Sequence, residues 1–224
     1  MPDLPDAHTH PATTVSGSAP RFVCGTSPAD WEQVATLAEQ DSAVIPFFGV
    51  HPWYLTSPEQ EEYLTELTSL LKRFPHAGLG ETGLDKCRKG VLPLSFQKQI
   101  LAQHLELAAQ HNRPVTLHCC RAWGTLASIL PEHPGLKAIL HGWTGAIPIA
   151  TLPRSSSLFF SIGLRELQRP GLLSSIPPHR LLLESDGHPE SLPEVYRRTA
   201  QELDTTVNNL VNLIQRNMET LIPS

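Results

Sequence analysis

The stretch Leu4-Pro5-Asp6-Ala7-His8-Thr9-His10 has the pattern of a short β-strand that runs into a His-x-His pair. Successive side chains of a strand point to opposite faces, so the imidazoles on either side of Thr9 point the same way. Two imidazoles placed in this way can bind one metal ion. The stretch therefore predicts a first strand that carries two candidate ligands, His8 and His10.

Short apolar runs recur along the rest of the chain and alternate with segments of helical periodicity. One such segment places Phe96, Ile100, Leu101, His104, Leu105 and Ala108 on a single stripe that faces a sheet. Repeated strand and helix alternation predicts parallel strands joined by right-handed crossovers, and eight of them close into a TIM-like (β/α)8 barrel. The predicted strands are Leu4–His8, Arg21–Gly25, Val44–Val50, Ala77–Glu81, Pro114–His118, Lys137–His141, Leu158–Ile162 and Arg180–Glu184.

One connection departs from this pattern. Only Pro11 to Pro20, rich in Thr, Ser, Gly, Ala and Pro, joins the first two predicted strands, so we expect the barrel to lack the helix between strands 1 and 2. This loop is long enough to lie across the barrel mouth. The stretch from Thr205 to Ile222 predicts a helix on the barrel exterior, with an apolar stripe formed by Val207, Leu210, Val211 and Ile214.

Length and composition set the protein class. A chain of 224 residues fits one barrel domain, so we expect a single domain over residues 1–224. No basic leader and no long apolar run is evident, and four cysteines without CxxC spacing do not form a disulfide framework. These features favour a cytoplasmic protein without a membrane partner. The net charge of −5 argues against a high-affinity duplex binder.

Candidate ligands lie at or just past the carboxyl ends of the predicted strands. His8 and His10 are joined there by the four residues Glu81, His118, His141 and Asp186. Active sites of barrel enzymes lie at this end. A single histidine is more often a hydrogen-bonded core or surface residue than a ligand, but six candidates at one end favour a metal site.

The residues that surround these candidates resemble the TatD family of metal-dependent hydrolases, within the amidohydrolase superfamily. The resemblance covers Asp6 to about Asn217 and implies a barrel with two divalent metals and deoxyribonuclease activity on DNA ends. It also implies that His8, His10, Glu81 and Asp186 bind one metal, and that Glu81, His118 and His141 bind the second. The blocks that carry it are Asp6–Pro11, Phe48–Pro52, Gly78–Asp85, Pro114–Ala122, Leu140–Gly145 and Leu182–Asp186.

The chemistry of these residue types agrees with that assignment. Two nearby dications need an anion between them, and a carboxylate such as Glu81 can bridge them whereas an imidazole cannot. Mixed nitrogen and oxygen ligands suit zinc, manganese or magnesium. Such ions lower the pKa of bound water and supply a nucleophile for phosphodiester cleavage. We expect Asp186 and Glu81 to be the catalytic carboxylates, with Asp186 accepting the proton of that water.

Substrate contacts are less well defined by the sequence. His51 ends the third strand and His188 follows the last aspartate, so both are candidates for substrate binding. Arg121, and Lys86 with its neighbours Arg88 and Lys89, are candidates for phosphate binding, although such charges are commonly only solvated. Trp143, with Trp53 and Tyr54, lies on mouth loops where bases stack, although rim aromatics are as often packing residues.

Other histidines and cysteines receive structural interpretations. Cys119 and Cys120 are interpreted as small buried hydrophobic residues rather than as ligands. The remaining histidines are expected at the surface: His76, His104, His111, His133 and His179.

Three functions follow from these residues. The first is a metal-dependent exodeoxyribonuclease of DNA ends or single-stranded DNA, expected as a monomer. The second is an amidohydrolase-type hydrolase of a small ester, amide or lactone. The third is a metal-binding barrel that acts as an interaction scaffold, which the complete set of six ligands disfavours.

Overall fold

The computed structural model describes residues 3–13, 17–55 and 62–223. Its centre is one sheet of eight parallel strands in sequence order, which wraps into a barrel and confirms the predicted (β/α)8 architecture. All predicted strands are present, with small differences in their limits. The strands are β1 (Asp6–Thr9), β2 (Arg21–Cys24), β3 (Val44–Phe48), β4 (Gly78–Asp85), β5 (Val115–Cys120), β6 (Lys137–Leu140), β7 (Ser157–Ile162) and β8 (Leu181–Leu183).

The seam between β1 and β8 is closed by hydrogen bonds just beyond β8. The Asp186 N–H donates to the His8 carbonyl at 3.0 Å, and the Ser185 N–H donates to the Asp6 carboxylate at 3.0 Å. Asp6 is fully buried, and burial raises its pKa to about 7 despite the hydrogen bonds it accepts from Ser185 and His8. The first and last strands thus meet at the end of the barrel that carries the candidate ligands.

Helices cover most of the barrel wall. The predicted C-terminal helix is present, with the Thr206 side chain accepting a hydrogen bond from the Asn209 N–H at its start and with Leu210 and Ile214 buried. It packs against β8 and the preceding helix. The six α-helices are α1 (Pro28–Gln40), α2 (Glu62–Arg73), α3 (Leu94–His111), α4 (Trp123–Ile129), α5 (Leu192–Glu202) and α6 (Val207–Glu219).

Three connections lack an α-helix in the described parts of the chain. Between β1 and β2 the structure shows only a 3-10 turn at Pro11–Thr13, as expected, with residues 14–16 outside the described residues. The connections β6–β7 and β7–β8 also contain only 3-10 turns, which the sequence analysis did not predict. Both are interrupted by glycine and proline, such as Gly145, Pro148 and Pro170, which disfavour helix interiors.

Close approach of strands β4 and β5 requires a glycine. Gly83 has φ +150°, and an added Cβ would lie 2.0 Å from the His118 carbonyl oxygen. Gly83 therefore lets β4 lie close enough to β5 for Glu81 and His118 to share one end of the barrel. Within the described ranges, no helix is both long and apolar enough to cross a membrane.

Candidate metal centre

Glu81 lies at the centre of the candidate site. It is buried on β4, and its two carboxylate oxygens face different histidines. Oε2 lies 3.4 Å from His8 Nε2 and 3.6 Å from His10 Nε2. Oε1 lies 3.0 Å from His118 Nδ1 and 3.1 Å from His141 Nε2. The carboxylate is therefore divided between two sets of imidazoles, as a bridging ligand would be.

Asp186 completes the set on the Oε2 side. Its Oδ1 lies 3.7 Å from both His8 Nε2 and His10 Nε2, and its side chain is 55% exposed towards the barrel mouth. Asp186 has φ +47°, a backbone conformation that is uncommon outside glycine but tolerated by aspartate. We call His8, His10 and Asp186 the first ligand group.

His51 joins the set on the Oε1 side. Its Nε2 lies 3.3 Å from Glu81 Oε1, and its ring packs edge to face on His118 with centroids 4.4 Å apart. The substrate contact predicted for His51 stays a prediction, since the structure places the ring beside the candidate ligands with its Nδ1 accepting the Trp53 N–H at 3.1 Å. We call His118 and His141 the second ligand group.

The buried polar atoms of this centre fit a bound cation. His8 is fully buried, and neither of its ring nitrogens has a hydrogen-bond partner. A buried imidazole without a partner is unfavourable, but a metal ion at Nε2 would satisfy it. His8 Nε2 also points towards carboxylates of Glu81 and Asp186, which are donors of the right type. The residues therefore fit divalent metal binding.

The charges of the centre reinforce each other. Burial would raise the pKa of Glu81, but the nearby His51, His141 and His8 hold it well below its usual range, so Glu81 is an anion at neutral pH. Burial opposes protonation of His141, yet the negative charges of Glu81 and Glu184 raise its pKa well above its usual range. In the protein without metal, His141 therefore holds a proton that a bound cation would displace.

His10 and Asp186, which face each other on the Oε2 side of Glu81, shift each other's pKa. Burial lowers the pKa of His10, but the nearby carboxylates of Asp186 and Glu81 raise it to about 9. Burial raises the pKa of Asp186, but the nearby imidazoles of His10, His141 and His8 bring it below its usual range. Asp186 is therefore a carboxylate at neutral pH and can accept a proton.

Two carboxylates that the sequence analysis did not single out support the second ligand group. Asp85 Oδ2 lies 3.1 Å from His118 Nε2, and Glu184 Oε1 lies 3.3 Å from His141 Nδ1. A carboxylate behind a ligating imidazole fixes the orientation of the ring and increases its basicity. Strand periodicity contained the signal, because Asp85 follows Glu81 by four residues and Glu184 precedes Asp186 by two, both even intervals.

The cysteines differ in part from the expectation. Cys119 is a buried free thiol, as predicted, and burial raises its pKa to about 12. Cys120 was expected to be a small buried hydrophobic residue, but it forms a disulfide with Cys87, with Cα atoms 5.9 Å apart. The prediction for Cys120 was wrong because the loop after β4 turns back towards the end of β5, where the Lys86 N–H donates to the Cys120 carbonyl.

His104 is a second correction. It was expected at the surface, but it is fully buried in α3, where Nδ1 contacts the Ile100 carbonyl at 2.8 Å. Its Nε2 accepts a hydrogen bond from the Val50 N–H at 3.2 Å, and burial lowers its pKa to about 4. His104 therefore holds the end of β3, next to His51, as a neutral imidazole. Of the remaining four, His76 and His179 are exposed as predicted, and His111 and His133 are partly buried.

Two cavities meet over the candidate ligands, one on each side. The first has a volume of about 520 Å³ and is lined by His10, His51, Trp53 and Tyr54. The second has a volume of about 570 Å³ and includes Arg165 in its wall. Residues common to both walls are His118, His141, Asp186 and His188.

The predicted substrate residues are only partly brought to these cavities. His188 lines both and is 74% exposed at its side chain. Arg121 and Lys86 are exposed beside the site but do not line either cavity. Trp143 is fully buried, with its ring against Trp123 and Phe160, so the structure contradicts a stacking role for it.

Comparison with known protein families shows where this chain belongs. Residues 7–223 match the family described as TatD related DNase. The chain belongs to this family. This result confirms the family resemblance drawn from the six sequence blocks.

Relatives within the family agree with this assignment. The chain is 28% identical to a protein of Pantoea vagans named 3'-5' ssDNA/RNA exonuclease TatD, over 92% of this chain and 88% of that protein. It is 33% identical to a protein of the same name from Erwinia amylovora, over 81% of this chain and 73% of that protein. The crystal structure of YJJV, a TatD homolog from Escherichia coli K12, superposes with a TM-score of 0.79 at 22% identity, covering 98% and 97% of the two chains.

Proposed function

We propose that this chain is a metal-dependent 3'-5' exonuclease that removes nucleotides from single-stranded nucleic acid ends. The observation that carries the proposal is the division of Glu81 between two ligand groups, with the Asp186 carboxylate exposed at the mouth between two cavities. The proposal is supported by the TatD relatives, which are named exonucleases. The hydrolase of small esters, amides or lactones is less well supported, because the names of these TatD relatives describe nucleases.

The ligand groups suit two divalent ions rather than one. His8, His10 and Asp186 would hold one ion with Glu81 Oε2, and His118 and His141 would hold the other with Glu81 Oε1. His51 Nδ1 accepts the Trp53 N–H, so its Nε2–H faces Glu81 Oε1 as a hydrogen-bond donor and positions this carboxylate. When bound, such a pair supplies an activated water and stabilises the charge on the leaving oxygen. Zinc, manganese and magnesium are all compatible with the donor set.

Protein side chains provide the remaining steps. Asp186, ionised and half exposed, orients the attacking water and accepts its proton. The His10 imidazole, whose Nε2 lies 3.7 Å from Asp186 Oδ1, faces that carboxylate and stabilises its charge. Asp85 and Glu184 keep the rings of His118 and His141 in position while the charge of the reacting groups beside these rings changes.

The experiment that tests the proposal uses single-stranded DNA and RNA labelled at the 5' end, with zinc, manganese or magnesium supplied in turn. A 3'-5' exonuclease shortens the labelled strand progressively and yields a ladder. Asp186→Asn is the control for a contaminating nuclease and should give no ladder. An intact oligonucleotide together with hydrolysis of p-nitrophenyl acetate would favour the small-ester alternative. Size-exclusion chromatography with light scattering tests the monomer that is part of this proposal.

A further inference from the structure

Two aromatic rings are exposed at the edge of the metal centre. Trp53 is 41% exposed and Tyr54 is 48% exposed, and they are the large hydrophobic residues exposed in the described chain. Both belong to a 3-10 turn, Pro52–Tyr54, that follows His51 directly. Exposing aromatic rings to water does not stabilise the fold. Their position beside the candidate ligands therefore points to a ligand that covers them.

Trp53 is held in place from several directions. Its Nε1–H donates to Asp85 Oδ2 at 2.6 Å, and its backbone N–H donates to His51 Nδ1 at 3.1 Å. The guanidinium carbon of Arg88 lies 4.3 Å from the ring centroid. Asp85 also contacts His118, so one carboxylate sets both the indole and a candidate ligand. A ring fixed in this way is preorganised for binding, because it loses little freedom when a ligand arrives.

The cavity beside these rings has the size and lining of a small-molecule site. Its volume of about 520 Å³ lies within the usual range for ligand pockets. Trp53 and Tyr54 form one part of the wall, while Pro11 and Ala12 of the helix-less first connection form another. Gln33 of α1 adds an exposed amide that can donate and accept hydrogen bonds. Glu81 and Asp186 border the same space.

We propose that Trp53 and Tyr54 form a subsite for the base of the terminal nucleotide. This proposal rests on the proposed function and deepens it. Aromatic stacking accepts any of the bases, since each has a π face. A base must be unstacked from its neighbours to enter the cavity, so the subsite selects ends whose last base is unpaired. The remainder of the strand then passes towards the second cavity, where Arg165 is available for a phosphate.

A kinetic comparison of two substrates tests the subsite. One oligonucleotide ends in a natural nucleotide, and the other has a tetrahydrofuran abasic residue at that position. Loss of stacking should lower kcat/KM by about 5-fold to 150-fold in the wild-type protein. In Trp53→Ala and Tyr54→Ala the ratio of kcat/KM between the two substrates should fall towards 1. Trp53→Phe, which keeps a ring but loses the hydrogen bond to Asp85, should retain most of the ratio.

The ratio separates stacking from a purely structural role. If Trp53 only supported Asp85 and His118, both substrates would slow equally in Trp53→Ala, and the ratio would stay at its wild-type value. That result, seen in both alanine variants, would overturn the proposal. A wild-type ratio near 1 would overturn it as well.

Binding without turnover distinguishes failure of the subsite from failure of the proposed function. Isothermal titration calorimetry compares deoxyadenosine 5'-monophosphate with deoxyribose 5-phosphate, in the wild-type protein and in both alanine variants. Tighter binding of the nucleotide that depends on Trp53 and Tyr54 supports the subsite even if no oligonucleotide is degraded. Equal binding of the two ligands by the wild-type protein overturns the subsite even if the exonuclease assay is positive.

Discussion

The two ligand groups around Glu81 differ in how the protein supports them. In the second group, His118 is backed by Asp85 at 3.1 Å and His141 by Glu184 at 3.3 Å. In the first group, His8 has no hydrogen-bond partner at either nitrogen, and Asp186 is half exposed. The second group is therefore oriented by buried carboxylates, whereas in the first group His10 is held by the Cys24 carbonyl at 3.0 Å and His8 has no such support.

This difference suggests a division of labour within the centre. A group held by its own carboxylates keeps its geometry without an ion and binds one tightly. In the first group, the exposed aspartate at the mouth can move with the reacting water and the phosphate during a turnover. We therefore expect the second ligand group to dominate metal retention and the first to dominate chemistry. The following predictions test this contrast.

Glu81→Gln should have the largest effect, because this carboxylate belongs to both groups. The substitution keeps the shape of the side chain but removes the charge that offsets two cations. We expect loss of at least one metal per chain by elemental analysis and a fall in exonuclease rate of about 10³-fold or more. Full metal occupancy in Glu81→Gln would show that the carboxylate does not bridge the groups.

Asp186→Asn should separate chemistry from metal content. Removing a general base costs about 10²-fold to 10⁴-fold in rate. The second ligand group is untouched, and the amide oxygen can still coordinate, so metal content should stay close to the wild-type value. Both quantities are measured on the same preparation. Turnover at the wild-type rate would remove Asp186 from the mechanism, while loss of both metals would contradict the contrast between the groups.

The sequence predicted the candidate ligands of this centre well, because strand periodicity and position along the chain determine where these residues lie. His8, His10, Glu81, His118, His141 and Asp186 were identified from their place at strand ends, and the structure brings all six together. Their roles as metal ligands stay a proposal.

Residues whose role depends on contacts across the barrel were predicted less well. His104 lies on the stripe of α3 that faces the sheet but was expected at the surface as a polar residue, and the hydrogen bond from the Val50 N–H explains why the ring is buried. The Cys87–Cys120 disulfide joins residues 33 positions apart through a loop whose path the sequence does not show. Trp143 looked like a mouth residue because it follows a strand end, but packing on Trp123 covers it.

His104 supports the candidate site from the barrel wall, because it holds the chain just after β3, next to His51. Its pKa is lowered to about 4 in the folded protein, against an ordinary value of 6.5. The unfolded chain therefore binds the proton first, and stability present above about pH 6.5 is lost as pH falls towards 4. The full loss in the free energy of unfolding is about 3 kcal/mol.

Urea unfolding followed between pH 7.5 and pH 4.5, with metal absent, measures this effect. His104→Gln keeps an acceptor for the Val50 N–H without a titrating ring, so its stability should depend less on pH over the same range. Equal pH dependence in the two proteins would assign the acid lability to other groups.

Asp85→Asn and Glu184→Gln test the supporting carboxylates directly. Substitution of such a partner typically lowers metal affinity by 10-fold to 100-fold. We expect that loss for one of the two metals only, since neither residue contacts the first ligand group in the described structure. Competition with a chelator of known affinity resolves the two binding steps. Weakening of both steps by the same factor would indicate that the groups are coupled rather than distinct.

The smallest expected effect comes from the Cys87–Cys120 disulfide, which ties the loop after Asp85 to the end of β5. Asp85 Oδ1 accepts hydrogen bonds from the Cys87 and Arg88 N–H groups, so opening the bond releases the segment that orients Asp85 without removing Asp85 itself. Reduction with dithiothreitol, in which two electrons from the reductant convert the disulfide to two thiols, should weaken the second metal step only severalfold. Cys87→Ser should match the reduced protein and should not respond to the reductant. If Cys87→Ser instead responds to dithiothreitol as the wild-type protein does, the effect arises from the reductant binding the metal, and the disulfide has no part in holding the second ligand group.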